Sequence, residues 1–146
     1  MCLDKQAPTV EKRFRKTANG RFLGWKAFLR SPQGHLEGFY GDFPLPRWRN
    51  RWLHSEDFGK GDRALDANNE EYVLGWHAFA RRAGARHWCR VWGRTGGGTV
   101  TLYGAVVRQV ELQTPVAFGP QTCNGVTVPV GVFKLMKILP NQERSK

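Results

Sequence analysis

A six-letter phrase that occurs twice constrains the fold of this chain more than any other feature. LGWKAF occupies residues 23–28 and LGWHAF residues 74–79, with five of six letters identical. Glycine lets the backbone approach a neighbouring strand, while tryptophan and phenylalanine supply bulk for a core. We interpret the copies as one local packing solution used twice; a tandem duplication is the alternative, although the residues around the copies differ. Where the first copy has Lys26 the second has His77, and this exchange predicts that His77 points outward.

Turn-forming residues divide much of the chain into short extended elements. The segments 21–30 and 35–43, separated by the turn sequence SPQG, predict an antiparallel hairpin. The second copy of the phrase predicts a strand over residues 71–79. After residue 98 the valine-rich sequence predicts further strands, broken wherever glycine or proline interrupts it, at Gly104, Pro115, Gly119, Pro129 and Gly131.

Residues 80–93 (ARRAGARHWCRVWG) have the periodicity of an amphipathic helix, with Gly93 as a natural end. One side of this helix is apolar and includes Gly84 and Trp88. The other side carries a stripe of arginines spaced by four, Arg82, Arg86, Arg90 and Arg94. The predicted fold class is therefore α+β, a twisted antiparallel sheet with one main helix packed on it.

The predicted domain organisation is one domain with loose ends. Residues 1–19 are polar and basic and predict a flexible basic arm, residues 20–140 a single α+β domain, and residues 141–146 a tail. Within the domain, the acidic segment 53–71 predicts an exposed connection between two basic halves.

Charge gives the clearest indication of a partner. The chain has 23 lysines and arginines against 12 acidic residues, a net charge of +11, which favours polyanionic partners. Residues 72–98 hold five basic side chains and no acidic one. Because a merely solvated helix face usually mixes both signs, this asymmetry favours an anion-binding face on the predicted helix.

A second basic sequence, RWRNRW, alternates arginine with tryptophan at residues 47–52. Trp48 and Trp52 stand four apart, which predicts a helical turn that places both rings on one face, toward the core. The arginines between them become the remaining predicted anion-binding residues, Arg47, Arg49 and Arg51.

The sequence predicts neither a cofactor nor a metal centre. Cys2, Cys89 and Cys123 are an odd number and widely spaced, which favours reduced thiols in the cytoplasm over a disulfide framework. His77, His87 and Cys89 lack the second close ligand pair that would complete a tetrahedral zinc site. No apolar run reaches the roughly 18 residues that a membrane span needs, and the first residues lack the pattern of a secretory signal.

The motifs GWKAF, GFYG, GWHAF with RRAGAR, and VTLYGAVVRQVEL with FKLMKIL resemble a loose class of small proteins from phages, prophages and actinobacteria. Proteins of that class have a GYKA-type strand, a GFHAF-type strand before a short helix, and a V-x-L-x-G-x-V-V segment before a last basic strand. The resemblance covers residues 22–139, and the tryptophan of GWHAF is a departure from it. It implies an origin in mobile DNA, and the class carries no settled activity.

The same layout is similar to ADP-ribosyltransferase-like folds. Such folds need an arginine or histidine on an early strand and a late catalytic glutamate. The late glutamates here are Glu111 and Glu143, and neither lies in the Q/E-x-E setting of those enzymes. The sequence also contains no GxSxG or HExxH motif and no P-loop ending.

We therefore expect a non-enzymatic cytoplasmic binding protein of mobile-element origin. Its basic face would engage nucleic acid or a nucleoprotein complex, and an inhibitor of host defence of the anti-CRISPR type is a specific form of this expectation. An acidic protein partner is left open. The alternatives are an ADP-ribosyltransferase-like enzyme and a structural or assembly protein of a phage particle.

Overall fold

The computed structural model describes residues 3–30, 36–37, 51–58, 63–95 and 105–140. In chain order the strands are β1 (Arg15–Lys16), β2 (Phe22–Arg30), β3 (Leu36–Glu37), β4 (Leu53–His54), β5 (Arg63–Leu65), β6 (Glu71–Val73), β7 (Trp76–Phe79), β8 (Ala105–Cys123) and β9 (Val126–Ile138). Helix α1 (Arg82–Thr95) follows β7, and two short 3-10 helices span Pro8–Arg13 and Ser55–Phe58.

Four strands pair in a closed cycle. β2 pairs with β8, β8 with β9, β9 with β7, and β7 with β2, in each case antiparallel. β1 and β3 add to β2, β4 adds to β9, and β5 and β6 form a separate hairpin. The predicted α+β class is confirmed: an antiparallel sheet with one main helix on it.

The two long strands β8 and β9 correct the predicted strand breaks. β8 continues through Pro115 and Gly119, and β9 through Pro129 and Gly131. β8 accommodates Pro115 with an irregularity before Ala117, so the register shifts without ending the strand. Pro129 stands opposite Pro120, so the two positions that lack an N–H face each other in the ladder. The fifth predicted break, Gly104, lies outside the described residues.

The core consists of two clusters. The inner cluster has four phenylalanine rings in mutual edge or tilted contact, with centroids 5.3 to 6.3 Å apart, Phe14, Phe22, Phe118 and Phe133. Around them lie further buried side chains, among them Phe28, Trp76, Val110, Leu112, Met136 and Ile138. The helix-side cluster contains two residues of α1, Ala85 and Trp88, and further buried residues that include Leu3, Ala27, Tyr72, Phe79, Val130 and Val132.

The predicted flexible arm is wrong for residues 3–19, because this segment packs on the sheet. Leu3 is 1% exposed within the helix-side cluster, and Phe14 is a member of the inner cluster. The backbone N–H of Asp4 donates to the Pro120 carbonyl at 2.9 Å, and that of Ala7 to the Phe118 carbonyl at 2.7 Å. The segment therefore lies along an edge of β8.

The two copies of the repeated phrase are neighbours in the sheet, with Trp25 paired to Phe79. Each glycine permits a close backbone approach. A Cβ on Gly24 would lie 3.0 Å from the Phe79 carbonyl oxygen, and one on Gly75 would lie 2.6 Å from that of Phe133. The interpretation of the glycines is therefore confirmed.

The large side chains of the two copies do not share one packing solution. Trp25 packs against the helix-side cluster, whereas Trp76 belongs to the inner cluster. The phenylalanines are exchanged in the opposite sense, with Phe28 inside and Phe79 on the helix side. Equivalent aromatic side chains in the two copies therefore lie on opposite faces of the sheet. A tandem duplication that kept the orientation of its side chains would not give this arrangement.

The remaining predictions for the first part of the chain hold in part. β2 and β3 form the predicted hairpin where the structure describes it. The strand predicted over 71–79 divides at Leu74 and Gly75, because β6 pairs with β5 while β7 enters the main sheet. Of the helical turn predicted around Trp48, residues 44–50 lie outside the described ranges, and Leu53 begins a strand.

The acidic segment 53–71 is part of the domain rather than only an exposed connection. It contains β4, a 3-10 helix, β5 and the first residue of β6. Asp66, 4% exposed, closes the turn between β5 and β6, because its Oδ1 accepts the backbone N–H groups of Asn68 and Glu70.

Candidate anion-binding surface

Helix α1 lies where the sequence predicts a helix, with its small residues against the sheet. Gly84, Ala85 and Trp88 are buried, and the Trp88 ring lies 6.2 Å from that of Phe79. A Cβ on Gly84 would come within 2.9 Å of the Phe79 ring, so glycine lets the helix lie close to β7. The helix ends at Thr95, two residues beyond the predicted end.

The side of α1 that faces away from the sheet is basic. Arg81, immediately before the helix, and Arg86 and Arg90 within it are exposed. Arg86 and Arg90 stand one helical turn apart, with Cβ atoms roughly 5–6 Å from each other. Within the described ranges, no acidic side chain forms an ion pair with any of these three arginines. These three exposed arginines give this side of α1 a positive charge.

Arg82 takes a different position from the rest of the predicted stripe. It is half-buried, and its guanidinium carbon lies 5.4 Å from the centre of the Trp25 ring. This cation–π contact holds the start of α1 against β2. Arg94 lies in α1, but its side chain is outside the described part of the chain.

Of the three arginines predicted from RWRNRW, only Arg51 lies within the described residues, and it is exposed. Arg47 and Arg49 lie outside them. The structure therefore brings Arg82, Arg86 and Arg90 together on one helix, whereas Arg51 belongs to the segment that leads into β4.

A second basic region surrounds Trp52. The sequence predicts that the Trp52 ring faces the core, and the side chain is half-buried, so this prediction holds in part. Arg21 and Lys137 lie over the Trp52 ring at 5.1 and 5.3 Å from its centre. Arg21 also forms a 3.7 Å ion pair with Glu111. We call Arg21, Lys137, Trp52 and the neighbouring exposed Arg15 the sheet patch.

Sequence reasoning missed the sheet patch. Arg21 and Lys137 are far apart in the chain, and they meet only because β8 pairs with both β2 and β9. Trp52 joins them because the next residue, Leu53, pairs with Met136 of β9. No spacing in the sequence signals this arrangement.

His77 is buried, which corrects the prediction that it points outward. It is 6% exposed because β7 lies between β2 and β9 with both faces covered. Its Nε2 lies 3.3 Å from the Tyr72 hydroxyl oxygen, which itself accepts the backbone N–H of Leu3 at 3.2 Å. Since the hydroxyl already accepts from Leu3, its own proton is available to His77. His77 thus belongs to a buried hydrogen-bond network beneath the amino-terminal segment.

Of the three cysteines, Cys89 and Cys123 lie within the described residues, and Cys2 lies outside them. Cys89 and Cys123 are free thiols. Burial raises the pKa of the Cys89 thiol to about 11, although the neighbouring Arg90 acts in the opposite direction. His87 Nε2 donates to the Cys123 carbonyl oxygen at 2.8 Å. Over the ranges that the structure covers, no three His, Cys, Asp or Glu side chains meet in a group that would hold a metal ion.

Comparison of the chain with protein-family models, curated proteins and solved structures finds no match. In the described part of the chain, no helix combines the length and the apolar character that a bilayer crossing requires.

Proposed function

We propose that this protein binds a polyanion, nucleic acid first of all, through the basic side of α1. The observation that carries the proposal is the pair Arg86 and Arg90, which are exposed one turn apart with no acidic partner among the described side chains. A guanidinium group binds phosphate oxygens in a fixed two-pronged geometry and keeps its charge at all physiological pH values.

The packing of α1 supports this function. Arg82 on the Trp25 ring and Trp88 beside Phe79 hold the helix against the sheet, so Arg86 and Arg90 project from a fixed support. Such arginines contact phosphates and release counterions, which makes the affinity fall steeply with salt. Contacts of this kind carry little sequence preference.

The alternative of an ADP-ribosyltransferase-like enzyme has less support. Its most suggestive residue is the histidine of the GWHAF phrase, and that histidine is 6% exposed with Nε2 facing Tyr72. A group that acts on a substrate must reach it within hydrogen-bond distance. His77 serves the interior of the fold instead, and Glu111 forms an ion pair with Arg21.

The test is a salt titration of binding to a labelled duplex of about 20 base pairs and to single-stranded RNA. For the double variant Arg86→Gln/Arg90→Gln we expect a loss of roughly tenfold or more at low salt, and a salt slope smaller by about two. The matched control is Lys12→Gln/Arg13→Gln, which removes the same charge from the 3-10 helix Pro8–Arg13.

Two results would contradict the proposal. Equal losses in the double variant and its control would mean that net charge, not the α1 face, determines binding. No binding by the unaltered protein at low salt would exclude nucleic acid as a direct ligand and leave an acidic protein as the partner of this face.

The finer form of the proposal is that the polyanion belongs to a host-defence nucleoprotein, with the protein acting as an inhibitor of anti-CRISPR type from a mobile element. Retention of a purified guide-RNA effector complex on the immobilised protein, lost in Arg86→Gln/Arg90→Gln, is the expected result. Co-purification with phage particles instead would favour the structural or assembly role.

A further inference from the structure

We infer that the anion-binding surface continues from α1 across the outer face of the sheet to the sheet patch, so that the ligand is an extended polyanion whose backbone spans both. This inference rests on the proposed function and deepens it, because it excludes small anions as the ligand and names a second contact region. The sheet patch consists of Arg15, Arg21, Lys137 and Trp52, as defined above.

The two regions share one face of β2. Arg82 of α1 lies over Trp25, and Leu23 stands two residues before Trp25, so their side chains leave the strand on the same side. Leu23 pairs with Arg15 on β1 and with Glu111 on β8. The sheet patch therefore begins one side-chain position from the start of α1.

The row continues across the neighbouring strands. Glu111 pairs with Lys137 of β9, so four residues, Arg15, Leu23, Glu111 and Lys137, lie side by side on β1, β2, β8 and β9. With neighbouring strands about 4.8 Å apart, this row is roughly 14 Å wide. The arginines of α1 from Arg82 to Arg90 add a second stretch of about 12 Å along the helix.

The charges in the sheet patch are held in place and only partly neutralised. The Trp52 ring carries both Arg21 and Lys137, which brings two cations together at one site. Glu111 forms its 3.7 Å ion pair with Arg21 and is the acidic residue of the row. With Arg15 also exposed, the patch has three cations for one carboxylate and retains a net positive charge.

The tryptophans favour contact with phosphates over stacking with bases. Arg82 lies over Trp25, and Arg21 and Lys137 lie over Trp52. A base that stacked on either ring would have to displace a cation that the ring already binds. A sugar–phosphate backbone needs only the cations, and it is long enough to reach from the helix to the sheet.

The experiment compares single-stranded oligothymidylates of about 4 and about 24 nucleotides by fluorescence anisotropy at several salt concentrations. For the long oligomer we expect Arg21→Gln/Lys137→Gln to weaken binding roughly tenfold and to lower the salt slope by about 1.5. For the short oligomer, which engages one region at a time, the loss should be no more than about twofold. The control is again Lys12→Gln/Arg13→Gln.

A second variant tests the same surface and keeps both cations that lie over the Trp52 ring, Arg21 and Lys137. Glu111→Gln removes the acidic residue of the row and should tighten binding of the long oligomer several-fold at low salt. No loss in Arg21→Gln/Lys137→Gln and no gain in Glu111→Gln would overturn the inference, while a loss in Arg86→Gln/Arg90→Gln would still uphold the proposed function. A loss at the sheet patch with none at α1 would contradict the proposed function itself.

Discussion

Lys26 Nζ donates a hydrogen bond of 2.7 Å to the main-chain carbonyl oxygen of His77, and these residues hold the same place in the two copies of the repeated phrase. The bond joins β2 to β7 next to the paired residues Trp25 and Phe79. The one letter that differs between the copies is thus one of the points where they contact each other. The long side chain of Lys26 supplies the donor, and the backbone oxygen of His77 accepts it. The ring of His77 forms a separate hydrogen bond with the Tyr72 hydroxyl.

Lys26→Met should destabilise the fold by about 1–3 kcal/mol, because methionine keeps most of the apolar stem but cannot donate to the His77 carbonyl. Urea denaturation measures the change. Lys134→Met is the matched control: its ion pair with Glu56 joins two solvent-exposed side chains, and its loss should change the free energy of unfolding by less than about 0.5 kcal/mol. Equal effects of the two substitutions would show that the bond between β2 and β7 contributes nothing.

Gly75→Ala should destabilise the protein by about 1–3 kcal/mol, because the new Cβ overlaps the carbonyl oxygen of Phe133 and backbone cannot move aside as a side chain can. Thermal unfolding gives the measurement. Gly125→Asn tests a glycine with open space and a φ of 82°, a backbone conformation that asparagine tolerates, and should have little effect. A stable Gly75→Ala protein would contradict the close approach of the chain to β9.

Leu3→Ala should cost about 2–5 kcal/mol, the range for a fully buried leucine. Leu65, which is 51% exposed, provides a control with the same chemical change, and Leu65→Ala should alter the free energy of unfolding by less than about 0.5 kcal/mol. Both values come from urea denaturation. If Leu3→Ala were as mild as the control, the amino-terminal segment would behave as the loose arm that its polar sequence suggests.

The stability of the protein should fall between pH 9 and 11 in a manner that depends on Cys89. Its folded pKa of about 11 exceeds the ordinary value of 9.0, so the folded state keeps the thiol proton where the unfolded state loses it. The contribution is complete below pH 9 and disappears as the pH approaches 11. Because lysines and tyrosines titrate in the same range, the measurement is the difference in slope between the unaltered protein and Cys89→Ala. Identical slopes would contradict the burial of the thiol.

The helix and the first strand were predictable because their signals are local. The small and apolar residues of α1 recur at the helical period, and Arg86 and Arg90 between them are exposed on the other side. Leu3 and Phe14 were overlooked because each is an isolated apolar letter in a polar run, and their burial depends on β8 and β9, far along the chain.

The strand breaks and the sheet patch were not predictable for a related reason. Proline normally ends a strand, but Pro129 is tolerated where it faces Pro120, and that register is a property of the whole hairpin. Trp52, Arg21 and Lys137 meet through three strand pairings, none of which a short sequence window contains. The outward position predicted for His77 was wrong. The exchange with Lys26 indicates only that the position accepts a polar residue, and it does not indicate whether that face of the strand is covered.

The closed cycle of strands also governs how this protein emerges from the ribosome. Leu23 pairs with Glu111, and Trp76 pairs with Phe133, so both copies of the phrase are synthesised well before the strands that cover them. Pairings this distant in sequence form slowly, and aromatic strands that wait for partners are prone to associate with other chains. A nascent chain that stalled before β9 would expose the inner face of β7 and the edge of β8 together. During synthesis, the apolar surface that a chaperone can bind is therefore largest before β9 is complete.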